Sequence, residues 1–364
     1  MGKAKKILVA PLGWGLGHAT RCMPIIEELR RQGAEVLFAS DGGALALLRQ
    51  AFPTLEWFEL PGYQVEYRTE NMVWSMAGQA PKILWSIWQE HKALKNLVDE
   101  HAIDGIISDN RFGCFSRKKP SVFITHQINI RLPFGLKSAI NFFNQLIIKQ
   151  FNECWVPDLA GKNNLSGELS HRIRSSSLRK KMRYLGALTR FDAIKHLDGE
   201  PIYEAIAVLS GPEPQRARFE EALIAQANSI SGNMLIVQGK PGQQSSFPVL
   251  SPKNKLEIVA SLPTEALSQA LEKTAVFIGR SGYSSIMDLA RLRRPALLIP
   301  TPGQTEQEYL AAKFMEERVF FSQKQSELDI KAGILEAKKM TGLDDRFFDE
   351  KAVAAAVSSL LRAC

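Results

Sequence analysis

Residues 279–307 contain serines, carboxylates and amides at spacings that suit a nucleotide. The apolar run that ends at Gly279 predicts a buried strand, and a turn interrupts it before a helical stretch that begins near Tyr283. The start of a helix presents unpaired backbone N–H groups and a partial positive charge, which together suit a diphosphate. The residues predicted to contact the phosphates are Arg280, Ser281, Gly282 and Ser284.

Further polar side chains follow on this helix and after the next strand. Asp288 lies about one turn inside the predicted helix, where its carboxylate could accept hydrogen bonds from ribose hydroxyls. The strand predicted over 295–300 leads into Gln304, Glu306 and Gln307, at the edge where open α/β sheets bind ligands. The segment therefore predicts a nucleotide-sugar site.

The order of these features resembles the second domain of inverting GT-B glycosyltransferases, most closely glycosyltransferase family 28. The shared pattern is serine-glycine, a helix with an acidic residue, a strand ending in proline, and a loop rich in Gln and Glu. The resemblance implies that Asp288 holds the ribose and that Gln304, Glu306 and Gln307 contact the donor sugar. The family usually has glutamate in place of Asp288, so a shorter reach or a bridging water is implied here.

The length of 364 residues predicts two domains. Strands alternate with helices through two successive cycles, which is typical of parallel sheets with right-handed crossovers. The predicted fold class is α/β, with two Rossmann-like parallel-sheet domains facing across a cleft, as in GT-B proteins. The predicted boundaries are 1–190 for an acceptor domain, 201–348 for a nucleotide-sugar domain, and 349–364 for a helix that, by resemblance, crosses back to the first domain.

A glycine-rich loop that ends in His18 follows the first predicted strand. Its glycines at 13, 15 and 17 do not match a dinucleotide fingerprint, and no GlyLysSer/Thr ends it as in a Walker loop. A helix N-terminus disfavours the imidazolium form, so His18 is expected to be neutral and able to accept a proton. The loop also resembles the histidine-ending loop of family 28, which implies a general base. The alternative is that His18 shapes the loop or binds an acceptor phosphate.

Other candidates lie on the same predicted rim. Asp109 follows the strand at 105 and is expected to orient His18 or to bind the acceptor. The alternative is that it caps its own loop as an Asx turn. The resemblance places His126 and Asn129 near the acceptor, although a satisfied structural histidine is the commoner explanation for a lone residue such as His126. Trp14, with Gly15 and Gly17, is expected to contact the acceptor or to cover the cleft.

The first strand-to-helix turn of the second cycle contains Ser210, Gly211 and Arg216. Its backbone amides and the guanidinium are predicted to contact the donor phosphates, although prolines at 212 and 214 remove two N–H donors. Leu262 lies where the family holds the uracil through backbone contacts, and its side chain could serve packing alone.

The formal charge of +8 suits nucleic acid, an anionic membrane or phosphate-bearing substrates, and the motifs favour the last of these over nucleic acid. Trp74, Trp85 and Trp88, together with the stretch 131–151, suit an interfacial face for a lipid-linked acceptor, or ordinary amphipathic packing. We expect a cytoplasmic protein, with peripheral contact at the inner face of the plasma membrane as an open alternative. Its four cysteines have no ligand spacing, and we expect neither a metal nor a cofactor.

The expected function is inverting, metal-independent transfer of a sugar from a UDP-sugar to a hydroxyl acceptor, with His18 as the base. Two alternatives stay open. One is an epimerase of UDP-N-acetylglucosamine on the same fold, which needs additional carboxylates in the cleft. The other is a noncatalytic basic binding module, which the ordered donor segments argue against. The sequence does not distinguish UDP from dTDP donors.

Overall fold

A computed structural model describes residues 4–63, 79–131, 137–191, 200–240 and 255–364. The chain divides into two compact units. The first unit combines Met1–Leu188 with Phe347–Cys364, and the second is Thr189–Arg346.

The first unit is built on a seven-stranded sheet in which all strands are parallel, in the order β3-β2-β1-β4-β5-β6-β7. The strands are β1 (Lys6–Pro11), β2 (Glu35–Ser40), β3 (Trp57–Glu59), β4 (Gly105–Asp109), β5 (Ser121–Ile124), β6 (Glu153–Val156) and β7 (Met182–Tyr184). The helices are α1 (Leu16–Arg31), α2 (Gly42–Ala51), α3 (Ala80–Glu100), α4 (Lys137–Ile148), α5 (Ser176–Arg179) and, from the end of the chain, α11 (Glu350–Ala363).

The second unit has a six-stranded parallel sheet in the order β10-β9-β8-β11-β12-β13. Its strands are β8 (Tyr203–Val208), β9 (Met234–Val237), β10 (Leu256–Val259), β11 (Thr274–Gly279), β12 (Ala296–Leu298) and β13 (Phe321–Ser322). Its helices are α6 (Gln215–Gln226), α7 (Thr264–Glu272), α8 (Tyr283–Leu292), α9 (Thr305–Glu316) and α10 (Ile330–Ala337).

The strand order reverses direction at one place in each sheet, and this determines which loops meet. In the first sheet β1 lies between β2 and β4, and Pro11 at the end of β1 is paired with Asp109 at the end of β4. In the second sheet β8 lies between β9 and β11, with Val208 paired to Gly279. Ligands of open α/β sheets bind at the carboxyl ends of strands at such reversals.

The last helix, α11, packs against α1 within the first unit. The side-chain amide of Gln32, just after α1, donates to the carbonyl oxygen of Ala354 over 2.9 Å. The hydroxyl of Ser358 donates to Oε1 of Gln32 over 2.7 Å. Among the described residues, no helix is both long enough and apolar enough to cross a bilayer.

The prediction of two α/β units with parallel sheets is confirmed. The strands that the sequence pattern did not predict are short ones at sheet edges, namely β3, β7 and β13. Two or three residues are too few for hydrophobic periodicity to appear. Trp74, part of the predicted interfacial face, lies outside the described residues, as do residues 132–136 of the stretch 131–151.

Candidate active site

The glycine-rich loop after β1 brings the start of α1 to the carboxyl edge of the first sheet. The backbone N–H of Leu12 donates to the carbonyl oxygen of Asp109 over 2.9 Å, which fixes the loop beside the end of β4. Helix α1 begins at Leu16, and Gly15 before it offers no capping side chain. His18 therefore lies in the first turn of a helix whose leading N–H groups receive no acceptor from the N-cap side chain.

His18 is hydrogen-bonded to Asp109. Nδ1 of His18 lies 2.8 Å from Oδ1 of Asp109, whose side chain is fully buried, whereas 20% of the His18 side chain is exposed. Because an ionised carboxylate only accepts hydrogen bonds, Nδ1 carries the proton in this pair and Nε2 keeps its lone pair. The arrangement leaves Nε2 able to take a proton from another group, as in other histidine-carboxylate pairs.

Arg21, which the sequence pattern did not single out, binds the same carboxylate. Its Nε and Nη2 donate to the two oxygens of Asp109 in a buried bidentate pair. Its Nη1 donates to Nδ1 of His126 over 3.0 Å. The structure thus brings three predicted residues, His18, Asp109 and His126, together around a cation that lies three residues after His18.

Burial keeps His18 neutral, and the neighbouring charges keep Asp109 ionised. Burial is the largest cause that lowers the pKa of His18 from 6.5; Asp109 opposes it, and Arg21, whose Nη2 lies 2.9 Å from Nδ1 of His18, reinforces it. Burial by itself raises the pKa of Asp109, but Arg21 and His18 outweigh it and lower the value to about 2. The sequence predicted a neutral His18 from the helix N-terminus, whereas desolvation is the dominant cause.

Asn129 has different surroundings from His126, although both follow β5. Its side-chain amide donates to the carbonyl oxygens of Glu168 and His171, over 3.0 and 2.9 Å. Its backbone N–H donates to the carbonyl oxygen of Leu169 over 2.8 Å. In this structure Asn129 therefore ties the loop after β5 to the segment that precedes β7.

A second buried charge network adjoins the glycine-rich loop. Arg111 pairs with Asp41 and with Glu90, and its Nη1 lies 2.7 Å from Oε1 of Glu90. Its Nε also donates to the carbonyl oxygen of Pro11 over 2.9 Å. A Cβ atom at Gly13 would collide with the Asp41 carboxyl group, so this position requires glycine. The network holds the beginning of the loop in place.

Trp14 and Gly15 are half-buried residues of that loop, and Gly17 is a half-buried residue in the first turn of α1. Trp14 packs edge-on against Tyr63, with ring centroids 5.8 Å apart, and its indole N–H has no hydrogen-bond partner among the residues that the structure describes. The carbonyl oxygen of Gly17 accepts from the hydroxyl of Thr20 over 3.1 Å. A Cβ atom at Gly15 would meet open space. The loop thus presents backbone groups and one aromatic ring immediately before His18 in the chain.

In the second unit, the predicted phosphate segment forms the turn between β11 and α8. Gly282 is the N-cap of α8 and offers no capping side chain, and Ser284 lies in the first turn. Ser281 is fully buried, and its hydroxyl donates to the carbonyl oxygen of Gln307 over 2.8 Å. This bond fixes the start of α8 against the start of α9. A helix start of this kind suits an anion.

Arg280 is almost fully buried, with 1% of its surface exposed. It donates to the carbonyl oxygens of Gln215 and Ile299, over 2.8 and 3.2 Å, and its guanidinium lies 4.3 Å from the ring centroid of Phe219. Burial lowers the pKa of Arg280 to about 10. In this structure the cation joins the start of α6 to the segment after β12.

The loop after β8 contains Ser210 and Gly211, and Arg216 is the second residue of α6. Gly211 has a φ of 104°, a conformation that favours glycine. The Arg216 guanidinium pairs with Glu213 over 2.6 Å and with Glu220 over 2.7 Å. The charge of Arg216 is therefore balanced by carboxylates of α6 and of the turn before it. The backbone of the loop lies at the carboxyl end of β8, where the strand order of the sheet reverses.

The polar loop before α9 is internally bonded. Oε1 of Gln304 accepts the backbone N–H of Gln307 over 2.8 Å and so caps the helix. Oε1 of Gln307 accepts the backbone N–H of Thr301 over 2.8 Å. Glu306 lies in the first turn of α9 and is half-buried. Leu262, predicted near the uracil of the donor, is buried with 7% of its surface exposed.

Asp288 lies on α8, in the turn after the predicted phosphate segment. One carboxylate oxygen accepts the hydroxyl hydrogen of Thr189 over 2.5 Å. Burial raises the pKa of Asp288 to about 6, against the opposing effects of Arg190 and Thr189. The carboxylate is therefore ionised near neutral pH and titrates just below it.

Residues 217–343, within the second unit, match the family model described as the glycosyltransferase family 28 C-terminal domain. The chain has the GT-B fold, as predicted, since it resembles solved proteins of that fold along nearly its whole length. The predicted similarity to family 28 is confirmed, and these findings support a sugar-transfer function.

Two sequence relatives and one solved structure of similar fold illustrate the likeness. The chain is 22% identical over 315 residues to UDP-N-acetylglucosamine–N-acetylmuramyl-(pentapeptide) pyrophosphoryl-undecaprenol N-acetylglucosamine transferase of Amoebophilus asiaticus, covering 82% of this chain and 80% of that protein. It is 24% identical over 333 residues to an uncharacterized glycosyltransferase of Methanosarcina acetivorans, covering 86% and 84%. The structure of Arabidopsis thaliana UGT89C1 complexed with UDP-L-rhamnose aligns with a TM-score of 0.62 at 12% identity, covering 99% of this chain and 100% of that one.

Proposed function

We propose that this protein is an inverting glycosyltransferase that moves a sugar from a UDP-sugar to an acceptor hydroxyl, with His18 as the general base. The observation that carries the proposal is the bond between Nδ1 of His18 and the fully buried Asp109. It directs the proton to Nδ1 and leaves Nε2 free to accept one, and His18 is partly exposed whereas Asp109 is not. These are the properties that a base acting on a bound alcohol requires.

In the proposed reaction, the acceptor oxygen attacks the anomeric carbon from the face opposite the nucleotide. The acceptor proton passes to Nε2 of His18 as the new carbon–oxygen bond forms. The bond from the anomeric carbon to the diphosphate oxygen breaks, and UDP leaves with that electron pair. Asp109 stabilises the imidazolium that forms, and Arg21 keeps Asp109 ionised throughout.

The donor is assigned to the second unit. The uncapped start of α8 would receive the diphosphate, with Ser284 in its first turn and the backbone after β8 beside it. Asp288 would hold the ribose, and Glu306 the sugar hydroxyls. Gln304 and Gln307 would then act mainly by shaping the loop, since their side-chain oxygens already accept backbone hydrogen bonds. We propose that no metal ion is needed, so a chelator should leave turnover unchanged.

The acceptor is assigned to the first unit and is proposed to be lipid-linked. Large apolar side chains are exposed on α3, where Trp85 and Trp88 are 57% and 53% exposed and stack at 4.8 Å. Others are exposed on α4, where Phe142 and Phe143 are 65% and 60% exposed. Aromatic side chains on a protein with a net charge of +8 suit the surface of an anionic membrane. The named relative from Amoebophilus asiaticus has a pyrophosphoryl-undecaprenol acceptor in its name.

A panel of UDP- and dTDP-sugars tests the donor assignment, first by thermal shift and then by release of nucleoside diphosphate with a polyprenyl-linked acceptor. A UDP-sugar should both stabilise the protein and release UDP only when the acceptor is present. Retention of configuration in the product, or interconversion of the donor without acceptor, would contradict the proposal.

Sedimentation with vesicles of phosphatidylglycerol and phosphatidylcholine tests the membrane contact. Trp85→Ser with Trp88→Ser should reduce the bound fraction, whereas Leu335→Ser should not, because Leu335 is an exposed apolar residue of the second unit (55% exposed). Equal binding by both variants would remove α3 from the membrane contact.

A further inference from the structure

The hydroxyl of Thr189 holds one oxygen of the Asp288 carboxylate. Oγ1 of Thr189 lies 2.5 Å from Oδ1 of Asp288, and Thr189 is buried, with 8% of its surface exposed. Thr189 is the first residue of the second unit, whereas Asp288 lies on α8, 99 residues later in the chain. The contact therefore depends on the tertiary structure of this unit.

A second hydrogen bond sets the direction of the Thr189 hydroxyl. The backbone N–H of Phe191 donates to Oγ1 of Thr189 over 3.2 Å, which occupies one lone pair of that oxygen. The hydroxyl hydrogen is thus free to point at Asp288, which accepts it as a carboxylate. Within the described part of the chain, Thr189 supplies the hydrogen bond to Oδ1, and Oδ2 is left to accept from another donor.

The electrostatic environment makes this bond important for the charge on Asp288. Burial favours the neutral acid and raises the pKa of Asp288 to about 6. Two groups oppose burial and lower the pKa of Asp288. The Arg190 guanidinium acts through its charge, and the Thr189 hydroxyl acts through its hydrogen bond. Because a hydrogen bond donated to a carboxylate stabilises its ionised form, loss of the Thr189 hydroxyl would shift Asp288 toward protonation near neutral pH.

We infer that Thr189 is a positioning residue of the donor site, which aims the Asp288 carboxylate and keeps it ionised for the ribose of the nucleotide; the inference rests on the donor role of Asp288 proposed above. Ribose offers two neighbouring hydroxyl donors, and a carboxylate that accepts them must be ionised and fixed in rotation. Aspartate is one methylene shorter than glutamate and has one rotatable bond fewer. A hydrogen bond to Oδ1 therefore fixes the remaining rotation of the carboxylate and with it the direction of Oδ2.

The test is the pH dependence of nucleotide-sugar affinity in the full-length chain, measured by calorimetry with UDP-N-acetylglucosamine. A UDP-sugar is preferable to UDP because a terminal phosphate has a second pKa of about 6 and would titrate in the same range. The parent should lose affinity as the pH falls through about 6, where Asp288 protonates. Thr189→Val should bind roughly threefold to tenfold more weakly near neutral pH. It should also shift the whole profile to higher pH.

Three further variants complete the test. Thr189→Ser keeps the hydroxyl and should restore the parental profile. Thr274→Val is the matched control, because Thr274 is a fully buried threonine of the same unit whose hydroxyl donates to a backbone carbonyl over 3.1 Å. It should leave the profile in place. Asp288→Asn should bind weakly at every pH without this titration.

The outcomes separate the two ideas. If Asp288→Asn binds as tightly as the parent, the donor role proposed for Asp288 fails. If Asp288→Asn weakens binding while Thr189→Val keeps the parental affinity and profile, the inference about Thr189 fails alone. A carbon-13 NMR titration of the Asp288 carboxyl group in the nucleotide-free protein, assigned with Asp288→Asn, provides the same midpoint without a ligand. An unchanged midpoint in Thr189→Val would also overturn the inference.

Discussion

Replacing Asp109 with asparagine removes a charge while preserving the shape of the side chain. Asp109 is fully buried and accepts hydrogen bonds from Nε and Nη2 of Arg21. Its Oδ1 lies 2.8 Å from Nδ1 of His18. The amide cannot balance the buried guanidinium, and removal of one partner of a buried ion pair costs about 3–5 kcal/mol of stability. The amide group can also donate to Nδ1, which would place the imidazole proton on Nε2 and block the base.

The expected loss of turnover follows from this loss of function in His18. A positioned general base contributes about 10²–10⁴-fold, so Asp109→Asn should approach that loss if Asp109 acts through His18. At about 1.4 kcal/mol per factor of ten, this is roughly 3–6 kcal/mol of transition-state stabilisation. Single-turnover transfer measured at saturating donor, below the unfolding temperature of the variant, isolates this step from the loss of stability.

Asp158→Asn is the matched control, because Asp158 is another fully buried aspartate of the first unit and accepts hydrogen bonds from backbone and serine donors. It should lose stability while keeping its single-turnover rate. The double variant of His18→Ala with Asp109→Asn should be about as slow as His18→Ala alone. The idea that Asp109 acts through His18 would be refuted in either of two cases. One is that the two losses of rate multiply in the double variant, and the other is that Asp109→Asn transfers sugar at the parental rate.

Three further predictions follow. Turnover should fall as the pH drops, with a midpoint below 6.5, because burial lowers the pKa of His18 and the protonated imidazole cannot act as a base; a pH-rate profile checks this. Asp288→Ala should weaken UDP binding by about 1–3 kcal/mol in calorimetry through loss of charge-assisted hydrogen bonds. Urea titrations between about pH 4 and pH 2 should show the free energy of unfolding falling by roughly 2 kcal/mol more in the parent than in Asp109→Asn. The pKa of Asp109 is lower in the folded than in the unfolded protein, so its ionised form stabilises the fold above the unfolded-state pKa. That contribution is lost as the pH falls and Asp109 becomes protonated.

The fold could be predicted because alternating strands and helices leave strong local signals. Long apolar runs marked the central strands, and the last helix, predicted within 349–364, spans Glu350–Ala363 in the structure. The meeting of His18 and Asp109 could also be anticipated, because both follow strands whose carboxyl ends lie at one edge of a parallel sheet.

The charge balance of the sites was harder to predict, because it depends on tertiary contacts. Arg21 is an ordinary helical residue by local pattern, and only the position of β4 brings a carboxylate to it. Arg216 is different, since its partner Glu220 lies four residues later on the same helix and the pairing could have been inferred from that spacing. The bond between Thr189 and Asp288 spans 99 residues and has no local signal.

The most direct test of the central claim compares His18→Ala with the parent in single-turnover sugar transfer, alongside UDP affinity. His18→Ala should transfer sugar about 10²–10⁴-fold more slowly than the parent. Its UDP affinity should be nearly unchanged, because the donor contacts are assigned to the second unit. Transfer at close to the parental rate by folded His18→Ala would contradict the account and show that another group removes the acceptor proton.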